Sequence, residues 1–211
     1  MSRTAPAAET RQRAPQKRAA ETRDQILGAA TELFSTRGYD GVSLRTIETG
    51  AGVKRGLVAY HFGTKEELWR AAVDALFRDL SDQMLAVRET VKDQPVETRL
   101  RINLTAFVRY SAMNPELNRI MAQEARAESW RSEHLVENYV RPLVALINQV
   151  AGRTFDVHSH YILIGAATFV FNVEFECMRL FGEDPRGEDF ITTHANRVAD
   201  LLLGEGGALQ L

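Results

Sequence analysis

Between residues 43 and 65 the chain concentrates side chains that could read a nucleic-acid duplex: Ser43, Arg45, Lys54, Arg55, Gly56, Leu57, Tyr60, His61 and Lys65. An arginine fork can donate twice to guanine, and a lysine ammonium or a tyrosine hydroxyl can hold a phosphate. Small or apolar residues let a helix approach the base edges of the major groove. Such groups need two short helices at a sharp angle. Ser43 can cap the first, with Leu44, Ile47 and Ala51 on its buried side, and Gly52 can supply the reversal. Val53 and Val58 then pin the second helix onto the first. The pattern is that of a helix-turn-helix. A plain helical hairpin inside a bundle would satisfy the glycine turn equally, and the flanking positive charge weighs against it.

Two segments carry a family resemblance. AGVKRGLVAYHFGTKEEL, residues 51–68, resembles the head signature of the TetR/AcrR family of transcriptional regulators. ILGAATELFSTRGYDGVSLRTI, residues 26–47, resembles the family's first helix and its exit. The shared positions are Ala29, Leu33, Phe34, Gly38, Tyr39, Ile47, Ala51–Gly52–Val53, Tyr60–His61–Phe62, Lys65–Glu66 and Leu68. The resemblance implies a homodimer that binds double-stranded DNA at a palindromic operator, with a small-molecule effector releasing it, usually as a repressor. It also implies that Tyr60, His61 and Lys65 hold phosphate. Two positions depart from the pattern. Glu48 stands where the family has a small residue, and Lys54 where it has a serine or threonine cap. The Glu48 stem is expected to run outward, or the crossing of the helices to open. Leu57 and Ala59 also differ, which bears on the operator sequence.

Charge is distributed as this reading requires. Through Lys65 there are eleven Lys or Arg against six Asp or Glu, whereas the remainder has fifteen against twenty-two. A basic head on an acidic body fits a DNA reader with a separate control domain. Expected domains are a disordered basic arm over 1–20, a helix-turn-helix domain over 21–66, and a helical effector-binding and dimerisation domain over 67–205. The arm, rich in Ala, Arg and Pro, could touch phosphate or act as a solvated linker. The longest apolar stretch, Tyr161 to Val173, is broken by Gly165 and too short for a bilayer, so no membrane partner is expected. The single cysteine, Cys177, leaves no internal disulfide and fits a cytoplasmic protein.

Beyond the head the periodicity is helical throughout, so the fold class is all-α. Thr64 and Glu67 form a capping box for a long helix to about Val91, with Leu68, Trp69, Ala72, Leu76, Phe77, Leu80 and Met84 on its stripe. Further helices are expected from Pro95 to Met113, from an Asn114–Pro115 cap, and from Ser132 to Ala151 with a kink at Pro142. Two more are expected over Asp156 to Phe181 and Glu188 to Leu203.

The Asp156–Phe181 segment is apolar around more than half its circumference, which fits burial on two sides. In the family arrangement the last two helices make the dimer interface. The candidates there are Phe171, Phe175, Met178, Phe190, His194, Val198, Leu201 and Leu202, which could equally be monomer core. Candidate effector residues are Asn103, Phe107, Tyr110, Met121, Glu124 and Glu174. Each of the two carboxylates either projects into a cavity or pairs with an arginine of a neighbouring helix. Nothing in the sequence requires a catalytic residue, cofactor or metal. There is no nucleophile elbow, P-loop or dinucleotide fingerprint, and His158 and His160 cannot share a helix face. The competing reading is a helical protein-interaction or ligand-binding module without specific DNA binding. It explains the body and leaves the basic glycine-turn head unexplained.

Overall fold

The capping chemistry of the sequence sets most helix boundaries in the computed structural model, which describes residues 7–151, 154 and 156–204, with side chains over 16–149, 154 and 156–204. Its helices are α1 (Ala7–Arg37), α2 (Leu44–Gly50), α3 (Leu57–Phe62), α4 (Lys65–Val91), α5 (Val96–Met113) and α6 (Pro115–Glu124). They continue with α7 (Trp130–Leu135), a π-helical turn (Val136–Val140), α8 (Arg141–Ala151), α9 (Val157–Asn172), α10 (Glu174–Phe181) and α11 (Glu188–Leu203). No strand occurs among the described residues, so the class is all-α. No single described helix is long and apolar enough to cross a membrane.

The chain forms two compact units, Met1–Ala75 and Leu76–Leu211. The division falls inside α4 and not at residue 66, because the first turns of α4 belong to the first core. Leu68, Trp69, Ala72 and Val73 are buried, and Trp69 meets Tyr39 edge-on at 6.5 Å. Ile26, Ala30 and Phe34 of α1, Ile47 of α2, and Val58 and Phe62 of α3 complete that core. At the start of α4 the Thr64 hydroxyl accepts from Glu67 N–H at 3.1 Å, while Glu67 Oε2 accepts from Thr64 N–H at 2.8 Å. The box is formed as its spacing requires.

In the second unit, α5 and α11 pack over Leu104, Val108, Ala112, Ile191, Ala195, Val198 and Leu202, with Ala167 and Phe171 of α9. Arg109 forks onto both Glu188 oxygens at 2.7 Å, and Arg101 meets Asp200 at 2.8 Å, fixing the same helix pair at its edge. Phe77 stacks on Tyr139 with centroids 4.1 Å apart.

Four expectations need correction. The arm is helical where it is described: α1 begins at Ala7, since Ala, Glu, Arg, Gln and Lys are good helix formers even without packing. Residues 16–20 remain exposed, and residues 1–6 lie outside the described residues, as does residue 205. The segment around Pro142 starts at Ser129, whose hydroxyl accepts from Ser132 N–H, and it widens into a π turn just before the proline, absorbing the missing donor without a break. Asn114 stands at the N-cap of α6 with Pro115 after it, but its side chain makes no capping bond there. Its amide donates instead to Tyr110 O at 3.0 Å, closing the end of α5. The expected Asp156–Phe181 helix is two helices bent by 73° at Val173, the point where Glu174 is held by two arginines.

Candidate nucleic-acid interface

Ser43 lies in extended backbone (φ −107°, ψ 158°) and accepts from Thr46 N–H at 3.1 Å, which starts α2. Its hydroxyl is therefore engaged within the chain. After α2, Gly52 turns the backbone at φ +66°, and Leu57 N–H donates to Lys54 O at 3.2 Å across a second turn. Gly56 stands at φ +89°, a left-handed conformation that a helix cannot pass through, so α3 starts at Leu57. The family pattern places the cap of the second helix at position 54. Lys54 and Arg55 instead sit exposed on the turn ahead of α3.

One side of α3 is buried and the other open. Val58 and Phe62, four residues apart, are buried, while Tyr60 is 80% exposed and Ala59 is exposed beside it. His61 meets the Tyr60 ring edge-on at 5.1 Å. Arg45 projects from α2, exposed. Lys65, at the start of α4, holds its ammonium 4.1 Å from the centre of the Tyr39 ring, so this cation also ties α4 to the exit of α1. The first unit thus presents Arg45, Lys54, Arg55 and Tyr60 to solvent around a short amphipathic helix, an arrangement able to hold phosphate and reach base edges.

The Glu48 stem does not run outward. The residue is buried at 8% exposure, and Oε1 accepts from Gly56 N–H at 2.6 Å. Sequence reasoning missed this partnership. Its signal was present: an acidic residue at a close helix crossing, followed by a turn whose expected cap position holds a lysine.

The second unit encloses a cavity of about 130 Å³, almost wholly apolar, between α4 (Leu80, Met84, Arg88), α5 (Leu100, Asn103, Leu104, Phe107), α8 (Leu143, Leu146, Ile147), α9 (Leu163, Ile164) and Leu203. Asn103 and Phe107 lie in its wall; Tyr110, Met121, Glu124 and Glu174 do not. Tyr110 is buried and donates to Leu76 O at 3.1 Å; burial first, then the Asp79 carboxylate, raises its hydroxyl above the ordinary range. Glu124 pairs with Arg131 at 2.8 Å, both well buried. Glu174 is bracketed by Arg119 at 3.0 Å and Arg186 at 2.6 Å. Both carboxylates therefore take the structural alternative, since an ionised group among apolar stripes needs a cation. The sequence reading overlooked Leu80, Met84 and Arg88 as wall, although they recur every four residues along α4.

The expected subunit contacts divide. Phe171, Val198 and Leu202 are buried within the second unit's own core, because their stripe faces α5. His194 is half-buried, with Nε2 2.9 Å from Ala166 O, and Phe190 stacks on it. Phe175, Met178 and Leu201 are exposed. So are Tyr161, Ile162, Phe169, Leu180 and Phe181 on α9 and α10, which the reading had not singled out.

Residues 26–72 match the family model described as bacterial regulatory proteins, tetR family. The chain is 36% identical over 63 residues to the negative transcriptional regulator IcaR of the biofilm operon icaADBC in Staphylococcus epidermidis, covering 30% of this chain and 34% of that protein. It is 32% identical over 109 residues to the transcriptional repressor NicS of Pseudomonas putida, covering 51% and 50%. The chain thus spans a third to a half of the length of these relatives. The family and these relatives are regulators and not enzymes. The crystal structure of a bacterial regulatory protein in the tetR family from Rhodococcus RHA1 superposes with a TM-score of 0.61 at 21% identity, covering 85% of this chain and 94% of that one. At that identity the likeness speaks for the fold: a helix-turn-helix unit followed by a helical one.

Proposed function

We propose, on the premise that residues 26–72 make this chain a member of the TetR family of bacterial regulatory proteins, that it is a dimeric, ligand-responsive transcriptional repressor. The observation that carries the reading is α3, with Val58 and Phe62 buried on one side and Tyr60 open on the other, preceded by the exposed cations Lys54 and Arg55. In this reading α3 enters the major groove. Arg55 addresses a base edge, and Tyr60, His61, Arg45 and Lys65 hold phosphates on either side.

A second copy of the chain is the partner for α9–α11. Phe169, Phe175 and Phe181 are 61%, 71% and 74% exposed, more aromatic surface than a monomer keeps in water. Two heads related by a two-fold axis read an inverted repeat with half-sites roughly 34–36 Å apart. The effector occupies the cavity of the second unit. Because the walls are apolar, with Arg88 and Asn103 as the polar exceptions, an uncharged hydrocarbon-rich body is favoured. A buried ligand donor or acceptor left unpaired there would cost about 1–3 kcal/mol. Repression is the mode named for IcaR and NicS.

Selection from a random duplex pool, with sedimentation of the selected complex, tests this reading. An enriched inverted repeat bound by two chains is expected. Binding that shows salt sensitivity but no sequence preference would favour the alternative of a helical module without specific DNA recognition.

A further inference from the structure

Two residues on which the chain departs from its family, Glu48 and Lys54, lie on either side of one turn. At the end of α2, Ala51 N–H donates to Ile47 O and Val53 N–H to Glu48 O, so the backbone leaves the helix with its donors satisfied. The turn Lys54–Arg55–Gly56 then has to be fixed a second time, because Gly56 adopts φ +89° and α3 has no side-chain cap from its own first residues. A serine at 54 would carry a capping oxygen; Lys54 has none. The Gly56 N–H is instead taken by Glu48 Oε1 at 2.6 Å, from a side chain buried between the two helices. A carboxylate accepting a backbone N–H makes a strong, directional bond.

We infer that Glu48 is a positioning residue for DNA reading. It holds the Lys54–Gly56 turn from below, standing in for the absent cap, and thereby sets the direction in which Arg55 and the first turn of α3 leave the protein. The inference rests on the DNA-binding reading above. Its placement has a consequence for selectivity. The carboxylate is buried beneath a surface meant for a polyanion, so it adds nothing to phosphate attraction. It acts on the geometry of base reading alone. Loss of the bond frees the turn, so matched and unmatched duplexes become more alike, while the phosphate contacts of Tyr60, His61 and Lys65 persist.

The test uses the full chain, the duplex selected by the unaltered protein, and a scrambled duplex of equal length. If the unaltered protein selects nothing, the function reading fails before Glu48 is examined. Given selection, Glu48→Ala should lower the ratio of matched to scrambled affinity roughly tenfold or more, the worth of one hydrogen bond to a charged group. Its affinity for the scrambled duplex should stay within about twofold, as phosphate contacts dictate. Glu48→Gln keeps the acceptor oxygen and should keep the ratio. Lys54→Ser added to Glu48→Ala should restore much of it by supplying a cap. The inference is overturned if Glu48→Ala leaves the ratio unchanged, if both affinities fall in parallel with the melting temperature, or if Glu48→Gln loses as much as the alanine variant. Should the alanine variant not fold, the ratio for Glu48→Gln and the behaviour of Glu48→Ala with Lys54→Ser decide the matter.

Discussion

The two units use charge in opposite ways. In the first, Arg45, Lys54 and Arg55 are exposed around α3, and Glu48, the one buried acid among the described residues there, faces a backbone N–H. In the second, the acids that interrupt apolar stripes are neutralised by arginines: Glu124 by Arg131, and Glu174 by Arg119 and Arg186. The cavity wall there is mostly apolar, and α9 and α10 leave Tyr161, Phe169, Phe175 and Phe181 open. The contrast fits the proposed partners. A duplex is met by donors kept in water, whereas a small apolar molecule or a second helical surface is met by removing water from hydrocarbon.

The sharpest break of this contrast is at the buried pair. Arg131→Ala leaves Glu124 uncompensated, with side chains that are 16% and 8% exposed in the intact pair. The expected loss of folding stability is about 3–5 kcal/mol. Arg45→Ala, on the exposed side of α2, should change stability by no more than about 0.5 kcal/mol. Denaturant unfolding of the two variants gives the comparison directly. Equal and small losses would mean that the second unit does not depend on its ion pairs.

On the DNA side the contrast is sharpened by separating base reading from positioning. Arg55→Ala should cost about 1–3 kcal/mol of binding and relax preference at one symmetric pair of positions in the selected duplex. Lys65→Ala should weaken all duplexes alike and lower the salt slope by about one unit. It should also lose the contact over Tyr39, which is 4.1 Å from the ammonium, so a small drop in melting temperature accompanies the binding loss. Uniform loss for Arg55→Ala across sequences would reassign that side chain to phosphate.

Legibility followed the same division. The capping box at Thr64 and Glu67, the end of α4 at Val91 and the full extent of α11 could be read from local patterns, because the residues that set them are neighbours in sequence. The start of α3 was not read, because it follows a left-handed turn at Gly56 whose N–H is taken by Glu48, eight residues earlier. The bend at Val173 was hidden for a related reason. No proline or glycine marks it, and Glu174 meets Arg119, 55 residues earlier in the chain. Phe171 and Phe175 stand four apart on what reads as one stripe, yet the first is wholly buried and the second 71% exposed, because the bend lies between them. Periodicity identified apolar faces in the second unit without telling core from open surface.

A smaller effect is expected at Glu174. Its own side chain is 28% exposed, and Arg186 is 42% exposed, so water screens part of the network. Glu174→Gln should lower stability by about 1 kcal/mol. The response of the DNA complex to an apolar effector should not change, because Glu174 is not among the residues of the cavity wall. Thermal melting beside an effector titration separates the two. An altered response at unchanged stability would return this carboxylate to ligand binding and weaken the contrast between the units.

The smallest effect is a pH dependence at His194 of the second unit. His194 lies between Phe171, edge-on at 5.7 Å, and Phe190, stacked at 5.8 Å. Burial lowers its pKa from the ordinary 6.5, and the Ala166 carbonyl opposes that shift only in part. A histidine whose folded pKa lies below its unfolded value favours the neutral ring. Its contribution to stability is therefore present above about pH 6.5 and is lost as the pH falls through the folded value. Unfolding of the intact chain should become easier on acidification below that point. His194→Phe should flatten this part of the profile relative to the unaltered chain, and the remaining histidines cancel in the difference. His61, on α3 of the first unit and half-buried beside Tyr60, supplies the contrast: His61→Ala should leave the acid slope of the second unit as it was while weakening DNA binding. Parallel slopes for the unaltered chain and His194→Phe would show that the proton is taken up elsewhere, and that the aromatic enclosure of His194 does no more than fill space.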